Sequence, residues 1–81
     1  MVNVKTSDTF ERILNKLDGS TKIQLDKTIL KIINNPEIGK PMRFDRKGTR
    51  EVYVGSFRLS YLYEKNTDTL YLLDFYHKDE Q

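Results

Sequence analysis

The sequence predicts a single α+β domain of order β-α-α-β-β-β, with an αα-hairpin packed on one face of an antiparallel sheet. Three observations carry this expectation. Apolar residues recur at helical spacing before Pro36, the period falls to two beyond it, and Gly55-Ser56 separates two alternating runs as a hairpin turn does. At 81 residues the chain is long enough for one core and too short for two.

Each element follows from local chemistry. Val2 and Val4 alternate with Asn3 and Lys5, which predicts a short first strand, and Ser7 or Asp8 then offers an N-cap with Glu11 in the first turn. Phe10, Ile13, Leu14 and Leu17 form one apolar stripe, and Gly19 is placed to end that helix in a left-handed C-cap. Ser20 or Thr21 caps a second helix whose apolar residues are Ile23, Leu25, Ile29, Leu30, Ile32 and Ile33, until Asn34-Asn35-Pro36 stops it. Residues 37–48 read as a connecting loop, and Arg50 to Val54 as a strand. In the returning strand Phe57, Leu59, Tyr61 and Tyr63 share one face, so Arg58 faces away from the helices with Ser60, Leu62 and Glu64. Lys65 to Asp68 make a turn. Leu70 to His77 are almost continuously apolar, which predicts a central strand. The expected core joins Phe10, Ile13, Leu14, Leu17, Ile29 and Ile33 to Leu59, Tyr61 and Leu72 or Leu73.

Composition narrows the chemistry. There is no cysteine and a single histidine, His77, so thiolate sites, cysteine nucleophiles and histidine-rich metal sites have no constituents. No serine stands in a Gly-x-Ser-x-Gly elbow, and no Gly-x-x-x-x-Gly-Lys loop is present. Asp74, Asp79 and Glu80 are the nearest approach to an acidic cluster, and their spacing does not make a cation site. No metal and no cofactor are therefore expected. No apolar run approaches the ~20 residues that span a bilayer, and the first residues are charged and polar, so the expected location is the cytoplasm, without a membrane partner.

Charge is concentrated in one segment. Residues 40–58 hold six Lys/Arg (Lys40, Arg43, Arg46, Lys47, Arg50, Arg58) against Asp45 and Glu51 alone. A block dominated by arginine suits planar, bidentate contact with phosphate. Arg, Lys and Tyr beside a single His permit metal-free RNA cleavage, in which a ribose 2′-hydroxyl attacks the adjacent phosphorus. That reaction needs proton carriers and cations that hold the developing charge. An imidazole exchanges protons near neutral pH, which makes His77 a candidate.

The segment Asn35-Pro36-Glu37-Ile38-Gly39-Lys40-Pro41, the hairpin Arg50-Glu51-Val52-Tyr53-Val54-Gly55-Ser56-Phe57-Arg58-Leu59-Ser60-Tyr61 and the ending Tyr76-His77-Lys78-Asp79 resemble the RelE/ParE toxin family over essentially the whole chain. The resemblance implies a toxin of a type II toxin-antitoxin system, neutralised by a RelB-like antitoxin encoded beside it. Most often such a toxin is an endoribonuclease that cuts mRNA in the ribosomal A site. It further implies Arg58 on the scissile phosphate, His77 and Lys78 as catalytic partners, and Arg43, Arg46, Lys47 and Arg50 as the residues that hold rRNA and mRNA. Met42 stands where some members carry a carboxylate general base, and Glu51 where some carry a strand lysine. Arg58 has an alternative use in an ion pair with Glu51 or Glu64, and alternation with His77 sends Tyr76 among the core residues. The family also includes ParE-like inhibitors of DNA gyrase, which act by protein binding alone, and that reading is the alternative.

Overall fold

In the computed structural model, which describes residues 2–44 and 47–80, the chain runs through β1 (Asn3–Thr6), α1 (Asp8–Leu14), α2 (Gly19–Asn34), β2 (Lys40–Pro41), β3 (Arg50–Val54), β4 (Phe57–Glu64) and β5 (Thr69–His77). A 3₁₀ turn at Lys78–Glu80 follows. The strands form one sheet in the order β1-β5-β4-β3-β2, with both helices on one face. β5 is an interior strand, flanked by β1 and β4, as its apolar run predicts. The antiparallel pairing expected of the sheet holds from β2 to β5, and β1 adds a parallel edge beside β5. Side-chain alternation reports which face a residue occupies and carries no information about strand direction. The two-residue β2 lies inside the stretch expected to be loop, where Lys40 pairs with Glu51 and Pro41 with Arg50. No helix among the described residues is long and apolar enough to cross a membrane.

The helices begin and end on identifiable groups. Ser7 caps α1 through its hydroxyl, which accepts the Phe10 N–H at 3.0 Å and donates to the Leu73 carbonyl at 2.6 Å. The expected C-cap at Gly19 is corrected: α1 stops at Asn15, and Gly19 is the first residue of α2. Asp18, not Ser20 or Thr21, is the N-cap, accepting the Thr21 N–H at 2.7 Å. That bond holds the Asp18 carboxyl below its ordinary carboxylate range. An ionised oxygen at a helix N-terminus meets unpaired N–H groups and the positive end of the dipole together, which favours Asp18 over the hydroxyls that follow it.

The core is built from Phe10, Leu25 and Ile32 against Val54, Leu59, Tyr61, Leu70, Leu72 and Phe75, all essentially removed from water. Ile13, Leu14, Leu17, Ile29 and Ile33 pack around this centre half-buried, whereas Ile23 and Leu30 face solvent. The buried stripe of α2 is thus Leu25, Ile29 and Ile32 at i, i+4 and i+7, rotated slightly from one centred on Ile33.

One buried side chain organises the segment after α2. The Tyr61 hydroxyl donates to the Pro36 carbonyl at 2.9 Å and accepts the Gly39 N–H at 2.8 Å. Arg50 completes the clamp, its Nη1 donating to the carbonyls of Glu37 at 3.1 Å and Gly39 at 2.8 Å. Only glycine permits this approach, because a Cβ at position 39 would fall 2.6 Å from the Tyr61 hydroxyl and 3.0 Å from the Arg50 Cβ. Lys40 and Pro41 are thereby delivered to the edge of β3.

Two measurements check this packing. Ile32→Ala costs about 2–5 kcal/mol in urea unfolding and Ile33→Ala distinctly less, since a cavity penalty scales with how completely the deleted methyls were enclosed. Tyr61→Phe costs about 1–3 kcal/mol by leaving the buried Gly39 N–H unpaired. Burial raises the Tyr61 pKa above its ordinary 10.0, with the Gly39 N–H opposing in part. A raised folded-state value means that the contribution is complete below pH ~10 and is lost as pH climbs through the folded value. Tyr61→Phe therefore flattens the alkaline limb of the stability curve.

Candidate active site

The face of the sheet turned away from the helices carries the polar side chains of the hairpin. Pairing of β3 with β4 sets Glu51 opposite Ser60 and Tyr53 opposite Arg58. Pairing of β4 with β5 sets Asp74 opposite Ser60 and Tyr76 opposite Arg58. Beyond Ser60 the register shifts, so that Tyr61 faces Leu72 and Leu73 is the extra residue of a bulge. A bulge reverses the in/out alternation along its strand. Leu70 and Leu72 before it and Phe75 after it consequently all enter the core, while Asp74 and Tyr76 emerge on the open face.

The result is a cluster around one buried carboxylate. Glu51 is only 6% exposed. Its Oε1 lies 3.6 Å from Arg58 Nη1, and its Oε2 accepts the Tyr76 hydroxyl. The Arg58 guanidinium in turn sits 3.9 Å over the centre of the Tyr53 ring. Burying a carboxylate is unfavourable unless an opposite charge and hydrogen bonds replace water, and Arg58 and Tyr76 provide both. The aromatic face steadies the arginine from its other side. Glu51, Tyr53 and Arg58 form the floor of a groove of about 550 Å³ whose rim is Lys40, Pro41, Met42, Arg43 and Phe44. Met42, where the resemblance finds no carboxylate, thus lines the same groove as Glu51.

The sequence-derived candidates divide. Arg58 occupies the open face as expected, and its ion pair with Glu51 is one of the alternatives read from the sequence. Arg43 lines the groove; Lys47 is exposed on the loop beyond it, and Arg46 lies outside the described residues. Two candidates are set apart from Arg58. Arg50 is engaged with the Glu37 and Gly39 carbonyls on the helix side of the sheet, since its register partner is the core residue Tyr61. His77 does not join Arg58: it pairs with Phe57, meets that ring edge-on at 5.4 Å, and lies on the opposite face. Its Nδ1 is 3.3 Å from the Asp79 amide and 3.5 Å from the Asp79 carboxylate. Lys78 is exposed on the closing turn, its N–H donating to the Ser56 carbonyl at 2.9 Å. Tyr76, expected in the core, takes the place beside Arg58.

Sequence reasoning missed Glu51, Tyr53 and Tyr76 as members of one cluster. The first two were available from the hairpin, because a turn at Gly55-Ser56 sets Tyr53 against Arg58 and Glu51 against Ser60. Tyr76 had no such signal.

Comparison with known proteins places this geometry. A family model described as the ParE-like toxin of type II bacterial toxin-antitoxin system matches residues 4–80. No curated protein matches significantly. Among solved structures, the chain is similar to one in the RelBE2 toxin-antitoxin complex of Mycobacterium tuberculosis, with 26% identity, a TM-score of 0.84, and coverage of 94% of this chain and 96% of that one. It is also similar to a chain of the intact Escherichia coli RelBE complex, with 14% identity, a TM-score of 0.82, and 95% and 96% covered. A YoeB/ParE toxin from Agrobacterium tumefaciens shows 12% identity, a TM-score of 0.83, and 94% and 98% covered. The last two likenesses establish the fold alone.

Double-mutant cycles test the separation of the two faces. Arg58→Ala and Glu51→Gln are non-additive in unfolding free energy by about 0.5 kcal/mol or more, because they share one contact. Arg58→Ala and His77→Ala couple less strongly, since among the described residues they share no partner and lie on opposite faces of the sheet.

Proposed function

We propose that this chain, which belongs to the ParE-like toxin family of type II bacterial toxin-antitoxin systems, is a ribosome-dependent endoribonuclease, cutting mRNA by attack of a ribose 2′-hydroxyl on the adjacent phosphorus. The observation that carries this reading is the state of Arg58. Its guanidinium is held between the Tyr53 ring and the Glu51 carboxylate at the floor of a groove edged by Lys40 and Arg43. An arginine so held is aimed before substrate arrives, and its contact with a phosphate strengthens as charge develops there. Lys40 and Arg43 at the rim and Lys47 beyond it supply the phosphate attraction that guides a single strand into the groove.

The proposed partner is an antitoxin of the RelB kind. Ile23 and Leu30 project from α2 two turns apart, each more than half exposed, and present an apolar line that an amphipathic helix can cover. An acidic segment complements the groove, so the complex weakens with salt.

Primer extension on a reporter mRNA in a translating extract tests the activity. Cuts cluster at A-site codons if the reading is right; intact mRNA together with altered plasmid supercoiling would move the assignment to gyrase inhibition. Arg58→Ala slows single-turnover cleavage about a hundred- to a thousandfold with association little changed. Arg43→Ala and Lys47→Ala instead weaken association and flatten its salt dependence.

A further inference from the structure

Resting on the ribonuclease reading, we propose that Glu51 and Tyr76 are the proton-transfer pair of this site, Glu51 the general base and Tyr76 the general acid. Proton carriers must stand within reach of the phosphate held by the arginine, and His77 lies on the other face of the sheet. Glu51 lines the groove with its Oε1 3.6 Å from Arg58 Nη1, so a phosphate on that guanidinium lies beside the carboxylate. The Tyr76 hydroxyl is joined to the same carboxylate at Oε2.

The proton balance closes within the pair. Glu51 takes the proton of the 2′-hydroxyl as that oxygen bonds to phosphorus, and the bond from phosphorus to the 5′-oxygen breaks. Tyr76 gives its proton to the departing oxygen, leaving a 2′,3′-cyclic phosphate and a 5′-hydroxyl. Glu51 then returns its proton to the phenolate along the hydrogen bond that already joins them. Glu51 is buried where it lines the groove, and groups that conflict with local packing preference gather at working sites.

The test is single-turnover cleavage of ribosome-bound mRNA, using a normal substrate and one whose scissile 5′-oxygen is replaced by sulfur. Sulfur leaves without a proton, so this substrate does not need the acid. Glu51→Gln and Tyr76→Phe each slow cleavage of the normal substrate about a hundredfold or more with association unchanged. On the sulfur substrate Tyr76→Phe returns to within about threefold of the parent, whereas Glu51→Gln stays slow. An equal Tyr76→Phe defect on both substrates, rescue of Glu51→Gln by sulfur, or normal cleavage by either variant overturns the pair. Tyr76→Phe keeps its ring and loses its hydrogen bond to Glu51, so its arm stands even where Glu51→Gln destabilises the fold. Should the unmodified chain leave mRNA uncut, the ribonuclease reading itself fails, which is a different result.

Discussion

Between Ser60 and Tyr61 of β4, the partner residue in β5 jumps from Asp74 to Leu72, and Leu73 is left outside the pairing. The freed Leu73 carbonyl accepts the Ser7 hydroxyl, whose oxygen also accepts the Phe10 N–H, while the Ser7 N–H donates to the Leu72 carbonyl. The residue that starts α1 therefore also anchors the irregularity in β5. Bulges reverse the facing of everything beyond them. Without this one, residues 74 and 76 would share the face of Leu70 and Leu72, and Phe75 would leave the core.

A second constraint ties the groove to the fold. Two of the three stretches that carry the family resemblance meet in one contact, the Tyr61 hydroxyl between Pro36 and Gly39, with Arg50 fastened to the same turn. This contact spans 22 residues between Gly39 and Tyr61 and brings β2 against β3. Arg50, which the family resemblance assigns to RNA, donates to carbonyls of the turn, while Lys40, next to the clamp, lines the groove. Position relative to the clamp, rather than charge, separates the basic residues that line the groove from the one that fastens the turn.

Glu51 links the stability of the domain to its proposed chemistry. A carboxylate so far removed from water is tolerated only with its partners in place, so Arg58 and Tyr76 are held in position by the same interactions that satisfy it. In the proposed reaction, a phosphate on Arg58 would compete for this ion pair. The Tyr53 ring stacks against the other side of the guanidinium.

The sequence by itself determined the class of fold, both helices, the hairpin and the open-face position of Arg58, because these depend on local periodicity and turn chemistry within a few residues. It also located the basic segment and, through two short motifs, the family. Only the tertiary structure decided where His77, Tyr76 and Arg50 point. Arg50 depended on a contact with the turn at residues 37–39, which no spacing reveals. Tyr76 and His77 exchanged faces because one residue of β5 is unpaired, and in a nearly continuous apolar run from Leu70 to Tyr76 neither phase of the alternation leaves a mark. The direction of β1 and the choice of Ile32 over Ile33 for the core were settled in the same way, by packing between elements distant in sequence.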